Sequence, residues 1–338
     1  MKVIKQNVGI DVSKKELVIC MIYLFEDLNI KIKGTRKFPN TLSGFGSLLG
    51  WVALKKDSSL DVHFTLEPTG VYHENLAYYL NENRQVVHIV LGLKAKKYAE
   101  SLDTNSKTDK LDSKALARMG SERQLDVWRP SSPLFLKLKV LTRERSALIK
   151  VRVMFQNQLE GMGHSAYPNK KSMNRLKSLI KAINDQTEKI EKDIEKVSEG
   201  NIELKAKVLK VMTIPGVAFI TAITIIAETD GFALIKSIKQ IVAYAGLDVR
   251  IRESGKWKGK AKISKAGNVH IRKALYMPSL SSITHALTYK LFYERLRDRK
   301  GIKMIALIAV QRKILGLIYT LWKNDSVYIE NHQNKNAA

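Results

Sequence analysis

The chain has 338 residues, with 58 Lys or Arg against 32 Asp or Glu, a formal charge of +26. A hydrophobic content of 45% at this length excludes a disordered chain and is enough for two domains with cores, and the single Cys20 excludes a disulfide-stapled scaffold. So large a positive excess on a folded chain points to nucleic acid or an anionic membrane as partner.

The opening Met-Lys-Val-Ile-Lys-Gln-Asn lacks the apolar run of a signal peptide. Val211 to Ala227 is uncharged, but Pro215-Gly216 interrupts it and it falls short of the ~20 residues a membrane span needs, so it reads as buried helix. A cytoplasmic protein with no membrane partner is expected.

In chain order, residues 8–12 read as a first strand, Leu17 to Phe25 as a second and Ile30 to Phe38 as a third. Leu42 to Lys55 has helical spacing, with Leu42, Phe45, Leu48, Leu49 and Val52 on one face. Val62 to Leu66 is a fourth strand, Tyr72 to Asn83 a helix, Val86 to Leu91 a fifth strand, and the text to about residue 122 is helical. Three strands followed by alternating helix and strand predict an α/β domain with a mixed sheet, similar in element order to the ribonuclease H-like fold.

Pro130 and Pro133 mark a boundary. Leu134 to Leu159 is a long basic helix, Gly161 to Asn169 a turn, and Leu176 to Lys210 a second long helix with heptad-like Leu179, Ile183, Ile190, Ile194 and Val197. The pair reads equally as an assembly coil or as helices packed on their own domain. From Leu209 a mainly α domain follows. Its Ile214-Pro-Gly-Val is either a phosphate-binding helix-hairpin-helix turn or an ordinary αα turn. The expected organisation is 1–125, a metal-binding α/β domain; 126–207, a helical coiled-coil segment; and 208–330, a C-terminal domain.

Two constellations carry chemistry. Asp11 and Glu67 close the first and fourth strands, and Asp109 and Asp112 sit three apart where a helix starts, with Thr108 as its N-cap. Carboxylates from several elements can converge on divalent ions against a phosphate backbone, although each acid alone also reads as a surface charge or a cap. The second constellation runs from Arg250 to Lys273 and holds nine Lys or Arg against one acid, Glu253. Arg250, Arg252, Lys256, Lys258, Lys260, Lys262, Lys265 and Arg272 are candidate backbone contacts, and Trp257 could stack on a base or sugar. Ser254 at its centre reads as a nucleophile amid cations or as a serine that bonds a turn or a phosphate. Ser264 reads as a cap for the helix beginning near Asn268.

Taken together, Gly9-Ile-Asp-Val-Ser-Lys, Leu66-Glu-Pro-Thr-Gly-Val-Tyr and Lys107-Thr-Asp-Lys-Leu-Asp-Ser-Lys-Ala-Leu-Ala resemble the N-terminal domain of the DEDD-type insertion-sequence transposases, the family numbered one-ten. Ile214-Pro-Gly-Val, Tyr244-Ala-Gly-Leu, Glu253-Ser-Gly-Lys, Ile263-Ser-Lys-Ala-Gly-Asn and Ile271-Arg-Lys-Ala-Leu resemble its C-terminal domain. The resemblance implies a RuvC-like first domain that binds Mg²⁺ (or Mn²⁺) through Asp11, Glu67, Asp109 and Asp112, and a second that joins Ser254 covalently to DNA. It also implies target and donor DNA, a structured non-coding bridge RNA that guides the choice of both, and homodimers that pair into a tetramer. The competing readings are a resolvase-like metal nuclease with no covalent intermediate and a non-catalytic RNA- or DNA-binding protein.

Overall fold

The structure, a computed structural model, describes residues 2–102, 108–251, 253–255, 257–259 and 262–330, with Trp257 and Lys258 described by their backbone alone. It divides into two compact units, 1–130 and 131–338.

The first unit is built on β1 (Val3–Val12), β2 (Glu16–Phe25), β3 (Ile30–Pro39), α1 (Leu42–Ala53), β4 (Val62–Leu66), α2 (Glu74–Glu82), β5 (Val86–Ile89), α3 (Gly92–Glu100) and α4 (Asp109–Glu122). Its five strands lie in the order β3-β2-β1-β4-β5. The first three form an antiparallel meander, and β4 and β5 continue it in parallel from β1, with Ile10 opposite Leu66. The mixed α/β sheet expected from the element order is therefore present.

Strand alternation assigns the two faces. Val8, Ile10 and Val12 pack with Phe64 and Leu66 against Phe45, Leu48 and Trp51 of α1 and Leu76 and Leu80 of α2. The intervening Asn7, Gly9 and Asp11 face α4. There Gly9 lets the helix lie directly on the strand: a Cβ at Gly9 would land on the backbone of Ser113 and Ala117. Gly120 does the same further along, beside Thr65 and Asn7. Cys20 and Ile22 complete this contact with Ala117, so Cys20 is the core thiol the sequence suggests.

The second unit comprises α5 (Pro133–Gly163), α6 (Lys170–Glu199), α7 (Ile202–Val211), α8 (Phe219–Glu228), α9 (Ile238–Tyr244), the short strands β6 (Val249–Arg250), β7 (Glu253–Ser254), β8 (Trp257–Lys258) and β9 (Lys262–Ile263), then α10 (Val269–Ala274), α11 (Tyr276–His285), α12 (Leu287–Lys300) and α13 (Lys303–Asn324). Helices α5 and α6 run antiparallel, as the bonds Arg145 to Glu191 (2.6 Å) and Arg152 to Asn184 (3.2 Å) require. Leu138, Ile190 and Ile194 of this pair join the core formed by α7, α8, α9, α10 and α13.

The single helix expected over 176–210 is two. Gly200 ends α6, and Asn201 caps α7 by accepting from Leu204 N at 2.8 Å. The Pro215-Gly216 bend is an αα turn packed inward: Ser282 Oγ donates to Pro215 O at 2.6 Å, and a Cβ at Gly216 would sit 2.6 Å from Pro278 O. Among the described residues α13 alone is long and apolar enough to cross a membrane, and Val310, Ile314, Leu315 and Ile318 bury it in the domain core.

Gly9→Val places two methyl groups and a Cβ against helix backbone that cannot rotate away. Overpacking of cores costs about 1–3 kcal/mol, and this substitution is expected at or above the upper end. Urea unfolding of the variant checks it.

Candidate active site

Parallel pairing of Ile10 with Leu66 brings the next residues, Asp11 and Glu67, side by side at the carboxyl ends of neighbouring strands. The α4 contact at Gly9 delivers two more acids to the same end. Thr108 caps that helix, its Oγ1 accepting from Leu111 N at 3.3 Å, and Asp109 and Asp112 occupy the first turn, where the helix dipole favours negative charge. Gly92 opens α3 beside Glu67: a Cβ there would stand 2.5 Å from Glu67 Oε1.

The four acids share a field. Asp11 is half-buried, and its pKa is pushed up to about 6, first by burial and then by the negative charges of Asp109, Asp112 and Glu67. Among the described residues, no three His, Cys, Asp or Glu side chains stand close enough together to chelate an ion as they are placed. The donor chemistry nonetheless suits one. All four groups are hard oxygen donors, and a divalent cation would relieve the repulsion that lifts Asp11. A cavity of about 690 Å³ opens between α3 and α4 beside this cluster, with Glu67, Gly92 and Asp112 at one end and Tyr98, Leu116 and Met119 among its walls. Lys37 lies near enough to feel the charge of Asp109, and its Nζ pairs with Glu16 at 2.6 Å.

Ser254 belongs to the second unit and is exposed. It pairs with Trp257 across a hairpin tip, while Glu253 pairs with Lys258. Gly255 takes the left-handed conformation at this tip, with φ of 54°. The loop's base is a second ladder, Val249 with Ile263 and Arg250 with Lys262. Arg250, Lys262 and Lys265 are exposed, whereas Arg272 donates through Nη1 to Ala245 O (2.8 Å) and Gly267 O (3.0 Å) and so braces the loop from within. Arg252, Lys256 and Lys260 lie outside the described residues.

Two details differ from expectation. Ser264 is not the cap of α10: its hydroxyl bonds the Asp248 carboxylate, and Asn268 caps the helix, accepting from His270 N (2.9 Å) and Ile271 N (3.2 Å). Asn268 is also part of a cluster the sequence reading missed. Glu228, whose side chain is fully buried, accepts from Arg143 Nε (2.6 Å) and Nη2 (2.9 Å) and from Asn268 Nδ2 (2.7 Å). Tyr244 donates to the Glu228 carbonyl at 3.0 Å. Burial alone would raise the Glu228 pKa, but the bonds from Arg143 and Asn268 and the positive charge of Arg143 hold it below its usual value. The signal available was a lone acid ending the apolar run Ile225-Ile226-Ala227.

The field at Asp11 has a sign. Its folded pKa of about 6 exceeds the unfolded value of about 3.9, so the folded state holds the proton more tightly, and stability falls as pH rises through this window. In buffer containing EDTA, Asp11→Asn should melt at a higher temperature than the wild type above pH ~6, the two converging toward pH ~4. Thermal melts across that range check it.

Residues 8–168 match the DEDD family of IS110 elements, described as "Transposase", and residues 209–294 match the "Transposase IS116/IS110/IS902 family". The chain is 27% identical to the pilin gene-inverting protein of Moraxella bovis over 319 residues, which are 94% of this chain and 95% of that protein. It is 23% identical to the transposase for insertion sequence element IS1111A of Coxiella burnetii over 254 residues, 66% of this chain and 69% of that one. Among solved structures, T. thermophilus RuvC in complex with a Holliday junction substrate aligns with a TM-score of 0.27 and 9% identity, covering 34% of this chain and 92% of that one. With these two domains in this order, the chain carries the domain pair of the IS110-type transposases and is an enzyme that cleaves and rejoins DNA.

Proposed function

We propose that the chain exchanges DNA strands through a covalent bond between Ser254 and DNA, with Mg²⁺ or Mn²⁺ held by Asp11, Glu67, Asp109 and Asp112. The observation that carries the metal site is geometric: parallel pairing of Ile10 with Leu66 sets Asp11 beside Glu67, and the close seat of α4 on Gly9 brings Asp109 and Asp112 to the same strand ends, where their charges help raise the Asp11 pKa in a chain of charge +26. An electrostatic cost of that kind is retained at functional sites. A divalent ion, when bound there, neutralises charge on the scissile phosphate and favours ionisation of an attacking hydroxyl.

The chain's own groups do the rest. Ser254 Oγ forms a new bond to phosphorus as one bridging P–O bond of the DNA breaks. The serine proton passes to solvent, and the leaving oxygen takes one up as a DNA hydroxyl. Attack by a hydroxyl of the second DNA on the serine-linked phosphate reverses these changes and rejoins the strand. Arg250, Lys262 and Lys265, together with Arg252, Lys256, Lys258, Lys260 and Trp257 of the same loop, are the proposed nucleic-acid contacts, with their positive charge stabilising developing negative charge; Arg272 of α10, expected as a further contact, holds the loop through Ala245 and Gly267.

Sequence choice rests with a structured non-coding guide RNA that pairs with target and donor DNA, while the protein grips the backbone. The likeness to a pilin gene-inverting protein supports recombination between defined sites. Homodimers pair into a tetramer through a coiled coil built on the α5–α6 hairpin.

Two sets of variants test this reading on a supercoiled donor–target pair with guide RNA and Mg²⁺. Ser254→Ala should abolish both strand cleavage and the protein–DNA adduct seen on denaturing gels; cleavage without an adduct would show that water is the nucleophile. Asp112→Asn should slow cleavage at least a hundredfold, on the order of the effect of removing one group that stabilises transition-state charge.

A gentler change tests Glu67. Gly92→Ala meets only the mobile end of that side chain, so the melting temperature should hardly change while single-turnover cleavage slows as the carboxylate is displaced. A cleavage rate equal to that of the wild type would remove Glu67 from the site.

A further inference from the structure

On the α1 side of the edge strand β3, three cations are seated on three buried rings. Lys33 Nζ lies 4.7 Å from the centre of Tyr23, Arg36 Cζ 5.3 Å from Phe38, and Lys55, just past the end of α1, has its Nζ 5.4 Å from Trp51. Two of the rings are in contact, and the third is tied to the same group through the Lys55 backbone. Phe38 and Trp51 meet edge to face at 6.1 Å, and Tyr23 OH donates to Lys55 O at 2.5 Å. Gly34 leaves space at the centre, where a Cβ would stand 3.0 Å from the Trp51 ring and 3.4 Å from Lys55 Cε.

Among the described ion pairs, no carboxylate partners Lys33, Arg36 or Lys55. Each ring already orders the side chain above it, so a polyanion would bind here with less loss of rotamer freedom than at free lysines. Protection of a sheet edge by lysines accounts for charge along the strand, but not for Lys55, which reaches the same array from a helix end.

Two properties define the occupant. Tyr23, Trp51 and Phe38 are 8%, 8% and 5% exposed, so no open ring is offered to an unstacked base. The array therefore suits the phosphates of a paired helix. Asp11 faces the opposite side of the sheet, so the segment held here is not the one being cut. The reaction supplies such a segment in the duplex arms that flank the exchange point. We propose that Lys33, Arg36 and Lys55 form a second nucleic-acid surface, which holds the backbone of flanking duplex DNA by binding its phosphates.

The test uses the full chain in buffer containing EDTA, so that it stands apart from any conclusion about Ser254 or the metal. A fluorescein-labelled DNA duplex of about 24 base pairs, a matched RNA duplex and single-stranded DNA are titrated by anisotropy from about 0.05 to 0.3 M salt. Lys33→Gln/Arg36→Gln/Lys55→Gln should make the slope of log K against log salt for duplex DNA shallower by about 2 to 3, near 0.9 for each phosphate no longer neutralised. An unchanged slope in a variant that melts like the wild type overturns the proposal, and a fall confined to the RNA duplex assigns the surface to RNA and overturns it too. Should the variant fail to fold, acetylation of the wild type decides: duplex DNA should protect Lys33 and Lys55 from modification, and equal labelling with and without DNA overturns the proposal.

Discussion

The seating of α4 on β1 is the contact on which the first unit depends. A helix laid on a sheet normally stands off by the length of the intervening side chains, about 10 Å between the axes of packed elements. At Gly9 nothing intervenes, and the backbones of strand and helix touch. That approach fixes the helix along its axis as well as above the sheet, and so fixes its first turn. Asp109 and Asp112 reach the strand ends carrying Asp11 and Glu67 because a residue two positions before Asp11 has no side chain. The resulting repulsion is held in place by the apolar packing of Val8, Ile10, Phe64 and Leu66 on the other face.

The second unit handles charge in the opposite way. Glu228 is buried, yet every oxygen of its carboxylate is occupied by Arg143 or Asn268. Breaking one side of such a pair typically costs about 3–5 kcal/mol, because the remaining charge stays buried. The cluster ties α5, α8 and the cap of α10 together, and the cap lies immediately after the loop that carries Ser254. One carboxylate thus joins a long helix to the base of an exposed hairpin, whereas burial and the charges of Asp109, Asp112 and Glu67 raise the proton affinity of Asp11.

The sheet was readable because its signals are local. Apolar runs ending in acids gave β1 and β4, period-two alternation gave β3, and Thr108 marked the start of α4. The misses come from information that is not local. One exception is local: the apolar positions from Leu179 to Val197 stop short of Gly200, the expected helix runs past them to Lys210, and the capping side chain of Asn201 starts a new helix there. Ser264 and Asn268 are both good capping residues; Asp248 engages the Ser264 hydroxyl, and Glu228, forty residues before Asn268, holds the Asn268 amide nitrogen while the amide oxygen caps the helix. Gly9 read as part of an apolar run; its use became visible only with α4 above it. The basic loop was legible as composition, but the inward commitment of Arg272 to Ala245 and Gly267 was not.

The parallel register of β1 with β4 has an evolutionary corollary. Asp11 and Glu67 each follow a residue buried on the opposite face, so a single inserted or deleted residue within either strand would turn its carboxylate into the hydrophobic layer and expose an isoleucine or leucine instead. Insertions that keep the acids in place belong in connections such as the exposed Asp27-Leu28-Asn29 bend, where Leu28 is 75% exposed. That bend is also where a tag or a fused reporter would leave the spacing of the acids unaltered.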